Sequence, residues 1–252
     1  MFNSNDFRNY RNSLGFSSKT KFIKFLSAKD IIADIDFTYI DLLNDRLCNI
    51  FKKLNIIYYK PCDIEKFLKD NLFTTYKILK KNEILNKLNN QGRRKEEVYF
   101  SWIRGYLILE YFKSAIADIF RISQESIQSI GEDDFSTLDT FKRTPKADLE
   151  VQNCGKKWRI EVQSGFQGIN DIKEHKVREA KAVYKNTKIQ TLVIHFDLFN
   201  GQVAFVNISR IKNNDLHWIR RQQMEGQSVF NIEQNHFKWL LKDIPPKFEE
   251  II

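Results

Sequence analysis

Glycine and proline are scarce in this chain, nine and four residues among 252. So few chain breakers exclude long flexible linkers, and no internal repeat or low-complexity segment is visible. Cysteine is scarcer still. Cys48, Cys62 and Cys154 are odd in number and widely spaced, which excludes a C-x-x-C or zinc pattern. Free thiols in a reducing cytoplasm are the expectation. No apolar run approaches the length of a membrane span. The greasiest stretch, 106–112, is interrupted by Glu110. The first residues, Met1-Phe2-Asn3-Ser4-Asn5-Asp6, are polar and carry no signal-peptide core.

Several reaction signatures are missing as well. No G-x-x-x-x-G-K-[ST] loop is present, since Gly155-Lys156-Lys157 lacks both the upstream glycine and the hydroxyl residue. That argues against an NTP-driven translocase and a nucleotide cofactor. No G-x-G-x-x-G opens a helix. His175, His195, His217 and His236 show no metal-ligand spacing, and Ser164-Gly165 is not a nucleophile elbow. Tyr58-Tyr59 lacks the companion residues of tyrosine-based nucleases.

What is present is positive charge. Lys and Arg total 41 against 32 Asp and Glu, a net charge of +9 and a pI near 9.3. Such a balance favours a polyanionic partner, nucleic acid before an anionic membrane. It also fits a merely basic soluble protein. With 42% hydrophobic residues the chain can bury a real core.

Residues 1–30 interleave Arg8, Arg11, Lys19, Lys21, Lys24 and Lys29 with Phe7, Tyr10, Leu14, Phe16, Phe22 and Phe25. Either a DNA-backbone arm or an amphipathic helix with a solvated face would look like this. Three- and four-residue apolar steps predict helices over 37–54 and 63–90, broken at Pro61 and with Asp63 as N-cap. The second would end at Asn89-Asn90-Gln91-Gly92. A third, very apolar helix spans 95–120 and should be central. A short strand is expected within 126–131, followed by an acidic loop from Gly131 to Asp134. A helix over 171–185 should be capped by Asn170 or Asp171. Strands at 191–196 and 202–208 flank the strong turn Asn200-Gly201.

The densest chemistry lies between these helices, at 145–163. Asp148, Glu150 and Gln152 alternate with Leu149 and Val151. Arg159, Glu161 and Gln163 alternate with Trp158, Ile160 and Val162. Period two marks half-buried strands, and Asn153-Cys154-Gly155-Lys156 offers the turn of a β-hairpin. Closing it there sets Gln152 against Lys157, Glu150 against Arg159 as an ion pair, and Asp148 against Glu161. Carboxylates directly opposed repel. Either both are solvated, or a divalent cation with a taste for hard oxygen ligands, such as Mg²⁺, lies between them.

Pro145-x-x-Asp148, a hairpin turn and Glu161-Val162-Gln163 resemble the PD-(D/E)XK nuclease superfamily, in the variant where Gln replaces Lys. The resemblance covers roughly residues 95–210. It departs from the family pattern in two places: the proline is not adjacent to the aspartate, and the triplet has no lysine. It implies an α/β (α+β) core, with a central mixed β-sheet flanked by helices. Residues 1–94 would form an N-terminal helical extension for dimerisation or DNA contact, and 95–252 the nuclease core. Asp148, Glu161 and a carbonyl near Val162 would hold Mg²⁺, and Gln163 would stand where a lysine is usual. The charge that lysine supplied would have to come from the metal or from a lysine of the 171–185 helix.

Gly105–Glu110 is similar to the family's first core helix, so Glu110 would face the metals, with Glu97 as second choice. Alternatively Glu110 pairs with Lys113. The implied activity is that of a type II restriction endonuclease. It would act as a homodimer on double-stranded DNA and leave 5′-phosphate and 3′-hydroxyl ends. Lys173 and Lys176 would contact DNA. Arg220, Arg221, Gln222 and Gln223 have the side chains that read guanine and adenine edges, or else form a plain surface. A repair or junction-resolving nuclease of the same fold and a non-catalytic nucleic-acid-binding protein are the alternative readings.

Overall fold

A computed structural model describes residues 2–31, 33–88, 93–131, 146–212, 217–221 and 226–251. Contacts divide the chain into two units, Met1–Asp36 and Phe37–Ile252. The first holds helices α1 (Ser4–Ser13) and α2 (Lys19–Leu26). Asn3 caps α1 in a reciprocal box with Asp6, and Ser18 caps α2. Phe16 packs on Phe22 and Phe25, yet neither helix buries a residue.

In the larger unit, helix α3 spans Phe37–Leu54 and buries Ile40, Asn44, Leu47 and Phe51 along one stripe. The helix expected over 63–90 is broken up. Asp63 caps α4 (Ile64–Leu68), and a π-helical turn (Lys69–Phe73) joins it to α5 (Thr74–Lys81). In that turn the Thr74 hydroxyl donates to the Lys69 carbonyl at 3.0 Å. Glu83 then takes a left-handed conformation, φ 56°, before a short 3₁₀ turn at Ile84–Lys87. The proposed end at 89–92 lies outside the described residues.

Helix α6 covers Lys95–Phe120, as its composition predicts, and buries residues on most of its circumference. The boundary at 94 does not divide the molecule. Phe51 of α3 meets Tyr111 of α6 with ring centroids 5.4 Å apart, and the Tyr99 hydroxyl donates to Asn44 Oδ1 at 2.7 Å. These helices and α6 need each other to bury their apolar faces.

The expected α/β class, a mixed sheet flanked by helices, is what the chain forms. The main sheet has six strands: β1 (Gln128–Ser129), β2 (Leu149–Asn153), β3 (Lys156–Gly165), β5 (Gln190–Asp197), β6 (Gln202–Asn207) and β9 (Phe237–Leu240), in that spatial order. Among the described strands only β3 and β5 run parallel, so they need a crossover, and α7 (Glu174–Thr187) supplies it. A smaller antiparallel sheet orders β4 (Asp171–Lys173), β8 (Gln227–Asn231) and β7 (Trp218–Arg221). The helix expected from 171 therefore begins at Glu174. Asp171 pairs with Asn231 in a strand instead of capping. A short α8 (Phe248–Ile251) closes the chain, and no helix among the described residues is long and apolar enough to cross a membrane.

The two faces of the main sheet are distinct. Phe112 of α6 stacks on Phe196 of β5 at 4.1 Å, which puts α6 on the face carrying Trp158, Ile160 and Val162. On the other face Val177 and Ala180 of α7 pack with Val193, Ala204 and Val206. That second face also carries Arg159, Glu161 and Gln163.

Candidate active site

The β2–β3 hairpin positions the two carboxylates. Cys154 (φ 48°) and Gly155 (φ 74°) both lie in the left-handed region, as a two-residue hairpin loop of the primed type requires. The register is Asn153 with Lys156, Gln152 with Lys157, Glu150 with Arg159 and Leu149 with Ile160. The Asp148 N–H donates to the Ile160 carbonyl at 3.1 Å, so pairing continues one step beyond β2. Asp148 Oδ2 then accepts the Val162 N–H at 2.7 Å, which ties the carboxylate to the backbone beside Glu161. Pro145 lies outside the described residues.

Glu161 is 5% exposed, too buried for an ordinary solvated carboxylate. Lys176, on α7, donates to its Oε2 at 2.8 Å and to the Lys146 carbonyl at 3.1 Å. Gln163 Nε2 stands 3.4 Å from Oε1. Burial, followed by the charge of Asp148, pushes the Glu161 carboxyl well above its usual range, and Lys176 only partly opposes them. In the opposed pair inferred from the alternation, Glu161 is therefore buried, Asp148 is half-buried, and the two are under electrostatic stress.

A divalent cation fits that stress. Two hard carboxylates make a donor set suited to Mg²⁺, which takes one or two protein carboxylates and keeps the rest of its shell as water. Among the described residues no group of three His, Cys, Asp or Glu side chains gathers to hold a metal.

Lys176 was expected to touch DNA, but its ammonium instead sits on Glu161. A helix thereby brings a lysine to the triplet that has none of its own. One turn further along α7, Glu179 accepts from Arg159 Nη1 at 3.1 Å, which pins the helix to β3. The expected Glu150–Arg159 ion pair does not form. Glu150 takes Lys157 at 2.8 Å, because Arg159 points to α7.

Other expected residues lie elsewhere. Glu110 pairs with Lys113 at 3.6 Å, and its helix covers the sheet face opposite Glu161. Glu97 belongs to the same helix. Lys173 is the residue from which α7 starts, beside His175. Arg220 is exposed on β7. Arg221 commits its guanidinium to the buried Asp171, with Nε 2.9 Å from Oδ2, so it braces the small sheet. Gln222 and Gln223 lie outside the described residues.

Beyond Gln163, a polar network that the sequence reading missed locks the ends of β3 and β5. Asp197 is fully buried, and burial opposes its charge. The side chains of Asn200, Gln202 and Asn170 donate to Asp197 Oδ2 at 2.7, 3.1 and 3.1 Å and hold its pKa below the usual range. Because Asn170 gives its amide to Asp197, its Oδ1 accepts from His195 Nε2 at 2.8 Å. Burial first, against the pull of Asp197 and Asp171, brings the His195 pKa down to about 4, so the ring is neutral at pH 7.

Gly165 makes room for this network. A Cβ there would stand 2.5 Å from Asn170 Oδ1 and 3.0 Å from His195 Nε2. Gly165→Ala should therefore cost about 1–3 kcal/mol of stability, as overpacking does. A denaturant midpoint unchanged from the wild type would show that the network yields freely.

No family model matches the chain, and no curated protein does. Among solved structures it is similar to the Holliday junction resolvase Hjc of Archaeoglobus fulgidus, at 10% identity and a TM-score of 0.32, over 50% of this chain and 89% of that one. At that overlap the fold class rests on the sheet and helices themselves.

Proposed function

We propose that this protein is a Mg²⁺-dependent DNA endonuclease of the PD-(D/E)XK kind, whose lysine comes from helix α7. The observation that carries this reading is the buried Glu161, opposed by Asp148 and gripped by Lys176 at 2.8 Å. A structural ion pair would need no second carboxylate beside it. Two acids and one base on a hairpin and its covering helix suit an in-line attack on phosphorus.

Asp148 and Glu161 would hold the cation, with the Val162 carbonyl as a further oxygen. Bound Mg²⁺ would supply a Lewis acid and lower the pKa of a coordinated water. Asp148 is kept in place by the Val162 N–H. Lys176 supplies positive charge where negative charge grows on the phosphoryl oxygens. Gln163, a neutral amide beside Glu161, can orient the attacking water by hydrogen bonding. The products would be a 5′-phosphate and a 3′-hydroxyl.

Within that class we favour a type II restriction enzyme working as a homodimer on a two-fold site. Arg220 on β7 is the remaining described side chain of the C-terminal cluster that is exposed and available to a base edge. Incubation with Mg²⁺ of a long duplex and, separately, a four-way junction tests the reading. Discrete duplex fragments are expected. Cleavage of the junction alone would make the enzyme structure-specific, and no cleavage of either would refute the nuclease.

A further inference from the structure

His195 carries a polar atom that the proposed chemistry does not use. The residue is 2% exposed, and among the described residues its Nδ1 is buried without a hydrogen-bond partner. A buried acceptor left unpaired costs free energy, so such an atom calls for a physical reason.

The surroundings fix the state of that atom. Asn170 gives its amide to Asp197 Oδ2 at 3.1 Å, so Asn170 Oδ1 is the end that faces His195 Nε2 at 2.8 Å, and it accepts. The one proton of the neutral ring therefore stays on Nε2, and Nδ1 presents a bare lone pair. Gly165 lets the ring stay close to Asn170, since a Cβ there would stand 3.0 Å from Nε2. The two imidazole nitrogens point outward in different directions, so Nδ1 does not compete for Asn170.

The strand register supplies a donor. In the parallel pairing of β3 with β5, Gln163 stands opposite His195 and Glu161 opposite Val193. Residues paired in this way share a face, and Val193 packs with α7, so His195 lies on the face of Glu161 and Gln163. Adjacent strands are about 4.8 Å apart, a span that a glutamine side chain can cover. Gln163 Nε2 stands 3.4 Å from Glu161 Oε1, at the long limit of a hydrogen bond. A cation held by Glu161 would draw on the same carboxylate and free the amide. We infer that His195 is a positioning residue for Gln163: its Nδ1 accepts the Gln163 amide hydrogen and leaves Gln163 Oε1 as the end that meets the attacking water. This rests on the nuclease reading above.

The test is single-turnover cleavage, by saturating enzyme, of the DNA that the wild type cuts, beside the denaturant midpoint of each protein. The variants are His195→Gln, His195→Asn, Gln163→Ala and the double variant Gln163→Ala with His195→Gln. Glutamine at 195 can reach Asn170 with its amide but puts no acceptor at the place of Nδ1. Asparagine can put its Oδ1 there but falls short of Asn170. His195→Gln should lose roughly 10–100-fold in rate, the usual cost of removing the outer partner of a reactive group, with DNA affinity unchanged. His195→Asn should be the less stable of the two and the faster. In the Gln163→Ala background, His195→Gln should cost nothing further, because its partner is gone. Rates that follow the midpoints, or losses that multiply in the double variant, would make His195 purely structural and overturn the inference. If neither variant at 195 folds, the ¹⁵N resonances of the wild-type histidines decide, assigned by substituting the other three. Mg²⁺ should move the His195 Nδ1 signal toward its hydrogen-bonded position in the wild type and not in Gln163→Ala. An unmoved signal in a wild type that cleaves would overturn the positioning role alone. A wild type that cleaves neither duplex nor junction would overturn the role and the nuclease together.

Discussion

Lys176→Met should cut the rate of duplex cleavage by roughly 10²–10³-fold, the loss seen when one preorganised stabiliser of transition-state charge is removed. Lys176 is held by two acceptors, Glu161 Oε2 and the Lys146 carbonyl, so its charge sits at a fixed place. The variant should still fold, since the Glu161 carboxyl is already pushed toward its neutral form and would complete that shift. Duplex binding should fall by no more than one phosphate contact. A second change separates position from identity. Gln163→Lys in the Lys176→Met background restores an ammonium beside Glu161 and should recover part of the rate. If Lys176→Met cleaves like the wild type, the lysine is merely the counterion of a buried acid.

Asp148→Ala should abolish cleavage and leave specific DNA binding largely intact. The carboxylate serves twice. It is one of two acids able to hold the cation, and it accepts the Val162 N–H at 2.7 Å. Asp148→Asn keeps an acceptor for that N–H and removes the charge. It should therefore be as inactive as the alanine variant but more stable. Glu161→Ala should be equally silent. Glu150→Gln is the internal contrast, because Glu150 binds the exposed Lys157, an ion pair worth about 0–1 kcal/mol. That variant should keep most activity. Gel assays on these four proteins check the series, and cleavage by Asp148→Ala would remove the hairpin from the chemistry.

What was legible in the sequence was local. Period-two alternation and a Cys-Gly turn define the β2–β3 hairpin and its register, and with them the opposition of Asp148 and Glu161. Three- and four-residue steps place α3, and a long apolar stretch places α6, to the residue. What escaped depends on partners distant in sequence. The Lys176–Glu161 contact crosses from a helix to a strand, and nothing in the pattern of α7 singles out one of its many lysines. Arg221 looked like a base reader by its side chain alone, and Asp171, its partner, looked like a helix cap. Both were misread for the same reason: β4 is three residues long and exists only because β8 pairs with it. Glu110 was placed by analogy with a helix position. Phe112 shows that this helix covers the opposite face of the sheet. The Asn170–His195–Asp197 network gave no signal either, since scattered amides and one histidine have no spacing rule.

The dependence of cleavage rate on Mg²⁺ concentration, measured for the wild type near pH 6 and near pH 8, tests the paired-acid site most directly. The Glu161 carboxyl holds its proton above the usual carboxylate range. The fold is therefore favoured at low pH and loses that contribution as pH rises through the elevated value. A cation that needs the ionised form must displace the proton, so it binds more tightly at the higher pH. The account predicts no cleavage in EDTA, a Mg²⁺ requirement that falls from pH 6 to pH 8, and no cleavage by Asp148→Asn at any Mg²⁺ concentration. Cleavage in EDTA, or a Mg²⁺ requirement indifferent to pH and to Asp148, would contradict it.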